Sequence, residues 1–227
     1  MNPITEKTRD PVNQDLIEKE EEFGLEGLGV MSSDYWRRDP KRLLFTLARY
    51  KFVSKMLDGK ESVAEIGCGD GFAARIVRQT VKKLLITDYD PYFINRFKEI
   101  STENWPITAL EHNILESPMK EKFDAIYSLD VFEHITKKEE DLFIKNIIKS
   151  LRDKGVVVLG MPSLESQEHA SEGSKLGHVN CRTGKEFKNF MEKYFDNVLL
   201  FSMNDEVVHT GFEKMAHYLF VVCSSFK

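Results

Sequence analysis

Apolar positions along the chain follow two rhythms. From Ser62 onward, short apolar runs alternate with stretches whose apolar residues recur every three or four positions. The runs "SVAEIG", "KKLLITD", "ITALEHNI", "FDAIYSLD" and "GVVVLGMP" predict strands, and "GFAARIVRQT", "PYFINRFKEIS" and "EEDLFIKNIIKSL" predict helices. Short apolar strands separated by amphipathic helices specify a parallel sheet covered on both faces. The tail departs from this alternation. "RTGKEFKNFMEKYF" reads as a helix opened by a capping box, Thr183 with Glu186. It is followed by "NVLLFSMND" and "MAHYLFVVCSS", two strands whose linker "EVVHTGFEK" is too short for a helical crossover, so they should pair antiparallel. The expectation is an α/β fold with seven strands, mostly parallel with an antiparallel last strand. Upstream, "DPKRLLFTLARYKFVSKML" predicts a helix that stops at "DGK" and forms an N-terminal cap.

Length and composition add little that contradicts this. The 227 residues suit one domain, with residues 1–50 as acidic lead and helical cap and 51–227 as the α/β core. No apolar run approaches the roughly 18 residues of a membrane span, and the polar N-terminus does not read as a secretory signal. Cys68, Cys181 and Cys223 are odd in number and far apart, which fits a reducing cytoplasm better than a disulfide framework.

Charge is uneven. Residues 1–30 hold eight acids against Lys7, Arg9 and Lys19, which equals the whole chain's net charge of -5. The cap then carries Arg37, Arg38, Lys41, Arg42, Arg49, Lys51 and Lys55 against Asp39. Either this is a solvated helix face or it meets an anionic substrate. A neutral body and an acidic lead disfavour nucleic acid as a partner.

Chemistry concentrates at "SVAEIGCGDGFAARIV", where Gly67, Gly69 and Gly71 stand between a strand and a helix. A phosphate-binding P-loop would need GxxxxGK[ST], and a dinucleotide fingerprint would need glycine where Phe72 stands. What remains is Glu65-x-Gly67-x-Gly69-x-Gly71. The next strand ends on Asp88, where a carboxylate would meet the two hydroxyls of a ribose. The third strand ends at Asn113 and the fourth at "SLDVFEHI". Polar strand ends in succession converge on one crevice beyond the carboxyl edge of the sheet.

In the order "VAEIGCGDG", "LLITDYDP", "HNI", "FDAIYSLDVFEHI" and "LRDKGVVVLGMPS", the chain resembles the class I S-adenosylmethionine-dependent methyltransferases from about Tyr50 to Phe226. The subgroup it most resembles contains the ubiquinone-pathway O-methyltransferases. The resemblance implies a Rossmann-like seven-stranded sheet, S-adenosylmethionine as cofactor and S-adenosylhomocysteine as product. It implies that Gly67, Cys68, Gly69 and Gly71 cradle the methionyl part with Glu65 in support. Asp88 would hold the ribose and Tyr89 flank the base. Asn113 and Ile114 would line the adenine, and Leu129 and Asp130 would border the sulfonium end. Asn113 stands where such proteins usually carry aspartate, so its side-chain oxygen would take the adenine amino contact.

The acceptor is less defined. With no long insertion, the cap and the loop "SLESQEHASEGSKLGHVNC" should form the lid over a small polar molecule. Arg37, Arg38 and Arg42 could grip a phosphate or carboxylate, Tyr35 and Trp36 keep a hydrophobic phenol open as acceptor, and His209 could reach the same side. The leading expectation is O-methylation of a sugar, nucleotide-linked or phosphorylated compound. The alternatives are an RNA or tRNA methyltransferase and a donor-binding protein without turnover. Histidine is the natural base near neutral pH, and His178 is the expected base, oriented by His134 and Glu133. Asp130, Glu133, His134 and His178 are also similar to the metal-binding set of small-RNA 3′-terminal 2′-O-methyltransferases, although a metal-free site is the leading expectation. Oligomeric state is open.

Overall fold

The computed structural model describes residues 8–100 and 104–227. The start of the acidic lead and the end of the helix expected over "PYFINRFKEIS" lie outside the described residues. Three helices open the chain: α1 (Gln14–Phe23), α2 (Val30–Arg38) and α3 (Pro40–Met56). The alternating core follows as β1 (Ser62–Ile66), α4 (Ala74–Arg78), β2 (Lys83–Asp88), α5 (Pro91–Ile100), β3 (Thr108–Glu111), β4 (Phe123–Leu129), α6 (Glu140–Lys149) and β5 (Leu151–Pro162). The tail holds α7 (Glu172–Gly177), α8 (Gly184–Met191), β6 (Phe195–Asn204), β7 (Val207–His209) and β8 (Tyr218–Phe226). The expected capping box at Thr183 and Glu186 opens α8.

These strands form one sheet in the order β3-β2-β1-β4-β5-β8-β6-β7. β1 to β5 pair in parallel, and β8 lies between β5 and β6, antiparallel to both. The sheet is Rossmann-like with eight strands where seven were expected. The extra strand is β7, which pairs Val207, Val208 and His209 with β6. Asp205, at φ 50, makes the tight reversal, and the β-branched pair behind it suits an edge strand.

Both faces of the sheet are covered, as the apolar strands require. One layer packs Phe143, Ile147, Phe187 and Phe190 against Ile126, Leu159 and Val221. The other packs Val53, Leu57, Val77 and Phe97 against Val63, Ile86, Tyr127 and Phe220. Leu219, Val221 and Cys223 of β8 face the first layer, while Tyr218 and Phe220 face the second, the strand's two-residue period. The cap helix α3 belongs to the second layer. It runs through the expected boundary at residue 50, because Tyr50, Val53 and Leu57 are all buried.

Candidate active site

The parallel strands deliver their carboxyl ends to one edge, and the loops after β1, β2, β4 and β5 meet there. After Ile66 the backbone turns sharply, with Gly67 at φ 72 and Gly69 at φ 52. Only glycine adopts such angles without strain. A Cβ on Gly67 would come within 2.3 Å of Val131 Cγ2, and one on Gly69 within 2.8 Å of Met31 Sδ. Gly71 instead packs against Phe97 and Ile86 in the core.

Asp88 ends β2 beside this loop. Its Oδ2 accepts from Gly69 N at 2.9 Å and its Oδ1 from Asp90 N at 2.9 Å, so each oxygen keeps capacity for a hydroxyl. Tyr89 is largely exposed next to it. Asn113 Oδ1 accepts from Leu115 N at 3.0 Å, closing a local turn, and Ile114 is buried behind it. Beneath the loop, Glu65 is fully buried and accepts from Tyr50 Oη at 2.5 Å and Tyr127 Oη at 2.7 Å. Burial pushes its carboxyl up to about 7 against those two hydrogen bonds. Tyr50 comes from α3, so the cap is tied to the floor of the loop.

Leu129 ends β4 and Asp130 follows it. Asp130 has a φ of 57, an αL residue that is not glycine, and backbone of this kind clusters at ligand sites. Arg49 Nη1 donates to both its carboxylate oxygens, at 2.8 and 2.7 Å. The same guanidinium lies 3.9 Å from the centroid of the Tyr218 ring. The cap closes over the glycine loop through Asp70, whose carboxylate accepts from Ser32 N at 2.7 Å and Ser32 Oγ at 3.3 Å. Gly29 fits against that carboxylate so closely that a Cβ there would meet it at 2.3 Å.

A cavity of about 590 Å³ lies between these elements, within the size range of small-molecule sites. Gly67, Cys68, Gly69, Leu129 and Asp130 line one side, and Tyr35, Arg42 and Arg49 of the cap line another. Glu133, His134 and His178 line the far end. The turn holding Glu133 is stitched to the loop holding His178, because Glu133 O accepts from Val179 N at 2.8 Å and Asn180 N at 3.0 Å. His134 Nδ1 donates to Gly177 O at 2.9 Å, and His178 Nδ1 to Gln167 Oε1 at 2.7 Å. Both rings therefore keep Nε2 as a free acceptor. Burial first, and His134 next, hold the His178 imidazole below its ordinary pKa. Glu133 is buried with Oε2 unpartnered, and burial, then the Asp130 charge, raise its carboxyl well above the usual range.

Ligand atoms of Glu133, His134 and His178 lie within 4.8 Å of one another, so these three could hold a metal ion. Asp130, the fourth member of the expected set, stands apart from that cluster with its carboxylate on Arg49.

Other expectations shift. His209 is not brought to the cavity: its Nε2 bonds Asn204 Oδ1 at 2.8 Å and its Nδ1 accepts from Gly211 N at 2.9 Å, inside the β6–β7 hairpin. Trp36, Arg37 and Arg38 lie on the exposed side of α2, and Arg38 pairs with Asp34 at 2.9 Å. Of the basic residues expected at the acceptor, Arg42 alone lines the cavity, its guanidinium 4.2 Å from the Tyr35 ring centroid. Arg49 of the basic cap also lines it, as do Tyr50, Asp70 and His217, which the sequence did not single out as site residues. Arg49 and Tyr50 sit four and three residues before Val53 on one helix, and the coincidence of polar groups with its buried face was the available signal.

The S-adenosylmethionine site implied by the motifs fits these residues. The loop is bare where a Cβ would intrude, Asp88 has two oxygens for a diol, and the crevice opens at the expected sheet edge. Residues 64–159 match the methyltransferase domain family. Over 135 residues the chain is 24% identical to the malonyl-[acyl-carrier protein] O-methyltransferase of Calditerrivibrio nitroreducens, covering 60% of this chain and 51% of that one. It is 28% identical over 166 residues to the tRNA U34 carboxymethyltransferase of Sulfurimonas denitrificans, covering 63% and 54%. The chain thus spans about half the length of these curated relatives. Among solved structures, the N-methyltransferase NodS from Bradyrhizobium japonicum WM9 in complex with S-adenosyl-L-homocysteine aligns with a TM-score of 0.58 at 20% identity over 83% of this chain and 86% of that one. The methyltransferase domain of bacterial CtHen1 aligns with a TM-score of 0.66 at 19% identity, over 80% and 98%. Fold, loop and domain match agree: residues 64–159 match a methyltransferase domain set in a Rossmann-like fold, and these similarities support S-adenosylmethionine as the cofactor.

Proposed function

We propose that the protein transfers a methyl group from S-adenosylmethionine to a hydroxyl of a small polar acceptor, with His178 taking the proton. The supporting observation is a single cavity lined both by the glycine loop and by His178 and His134, whose Nδ1 atoms are the ones engaged in hydrogen bonds. The narrower kinship with ubiquinone-pathway O-methyltransferases belongs to this proposal, as does a one-domain organisation.

When bound, the cofactor supplies a methyl already activated on a sulfonium, so the chain's task is alignment and exclusion of water. Gly67 and Gly69 leave room for the methionyl chain, Asp88 accepts the ribose hydroxyls, and Leu129 walls the reacting end. The cap roofs the site through the Asp70 contact to α2 and the Tyr50 contact to Glu65, which limits water. Gln167 fixes the His178 tautomer so that Nε2 faces the proton to be removed, and the lowered pKa keeps that nitrogen unprotonated at neutral pH.

The test is incubation with labelled donor and a cell extract split into small-molecule and RNA fractions. Label in the small-molecule fraction supports the proposal. Label in RNA favours the tRNA-type reading that one group of relatives raises, and donor binding without product favours a non-catalytic protein. His178→Ala should lose at least about a hundredfold in turnover while S-adenosylhomocysteine affinity is unchanged. Wild-type turnover in that variant rejects His178 as base.

A second reading of the same end of the cavity has its own observation. Glu133, His134 and His178 converge, both histidines are oriented through Nδ1, and Glu133 Oε2 has no partner. Two imidazoles and a carboxylate suit a divalent transition metal that would bind and acidify the acceptor hydroxyl. Full activity after exhaustive chelation rejects this reading. A Co(II) absorption band that disappears in His134→Ala supports it independently of turnover.

A further inference from the structure

A second cavity, also of about 590 Å³, adjoins the first. His178 and Gln167 line both, and the hydrogen bond between them is part of the shared wall. Lys137, Lys175, Arg182, Glu140 and Glu186 also line the second cavity, together with the half-exposed Leu164 and Val179. Most of these charges are already committed. Arg182 pairs with Glu140, which also accepts from Asn180 Nδ2 at 3.0 Å. Arg182 Nε stays buried without a partner. Glu186 accepts from Thr183 N at 3.0 Å and Thr183 Oγ1 at 2.9 Å in the cap of α8. Lys137 and Lys175 make no ion pair among the described residues, and Lys175 Nζ donates to the carbonyl of Glu168 at 3.1 Å. Two ammonium groups without an ion-pair partner among the described residues therefore line the same cavity as His178, Leu164 and Val179.

We propose that this cavity receives the non-reacting end of the methyl acceptor, and that this end is a phosphate ester held by Lys137 and Lys175. The inference rests on the reading of His178 as the group that meets the acceptor hydroxyl. Two point charges bracket a dianion well, and the apolar Leu164 and Val179 suit the carbon skeleton between phosphate and hydroxyl. Binding energy from that remote end would be available to align the hydroxyl for displacement. It also moves the anion grip away from Arg37 and Arg38, which face solvent, to the cavity that shares His178 and Gln167.

The probe is phenyl phosphate, with phenol as its neutral counterpart, added to the full chain with and without S-adenosylhomocysteine. Histidine side-chain resonances report on His178, and calorimetry reports on affinity. The expected result is saturable binding of phenyl phosphate that shifts the His178 resonance. In Lys137→Ala/Lys175→Ala, both changes on the surface, that binding should weaken at least tenfold while S-adenosylhomocysteine affinity stays constant. Absence of saturable binding, equal binding in the double variant, or phenol binding as well as phenyl phosphate each overturns the proposal. Failure of S-adenosylhomocysteine to bind would instead count against the donor site, and the probe titration on the free protein still reads the second cavity.

Discussion

Asp88 is buried, with each carboxylate oxygen accepting one backbone amide beside the glycine loop, which makes it a sensitive probe of the donor site. If Asp88 holds the ribose as proposed, Asp88→Ala should weaken S-adenosylhomocysteine by about 1.5–3 kcal/mol, read by calorimetry; unchanged affinity would reject the ribose role. Glu65 makes a different prediction because its carboxyl is raised to about 7 by burial, from 4.5. The folded chain then holds the proton more tightly than the unfolded chain, so this contribution is fully present below about 4.5 and is lost as pH rises to about 7. Glu65→Gln should flatten that part of the stability-against-pH curve in denaturant titrations. The acidic ends of β1 and β2 were legible in the sequence because each closes a short apolar run that fits only one register. His209 and His217 were not, since their positions depend on strand pairing. His217 N donates to Met203 O and Ser163 N donates to His217 O, and these contacts draw that histidine to the edge where the cavity lies. The turn after β6 leaves His209 in the outer hairpin.

Among the elements, α3 was legible from its helical spacing and α2 was not. "VMSSDYWRR" mixes polar and apolar residues without a clear stripe, and its cap comes from a residue 38 positions away, Asp70. A carboxylate at a helix N-terminus satisfies orphan amides and meets the positive end of the dipole. Asp70→Ala should therefore cost α2 about 1 kcal/mol and loosen the roof of the donor site. S-adenosylhomocysteine should then leave faster, measured by stopped-flow through Trp36, which sits on α2 and is 61% exposed. An unchanged dissociation rate would mean that α2 does not gate the donor. α7 was hidden for a related reason: six residues with Ser171 as N-cap carry too little periodicity to register.

At the scale of the whole molecule, the alternation of strand and helix was enough to specify the parallel half of the sheet and its reversed last strand. The eighth strand escaped because three residues cannot display a period. No helix among the described residues is long and apolar enough to cross a membrane. The placement of β8 has one more consequence. β5 and β6 run alongside each other only through β8, so until Tyr218–Phe226 arrives each presents a bare edge of unpaired amides and carbonyls. During synthesis, the five parallel strands and β6 leave the ribosome before the strand that joins them. The chain is then exposed to edge-to-edge association until the nine residues of β8 thread into the gap. A nascent chain arrested just before Tyr218 should be open to protease and prone to aggregate, whereas release of the remaining residues should close the sheet in one cooperative step.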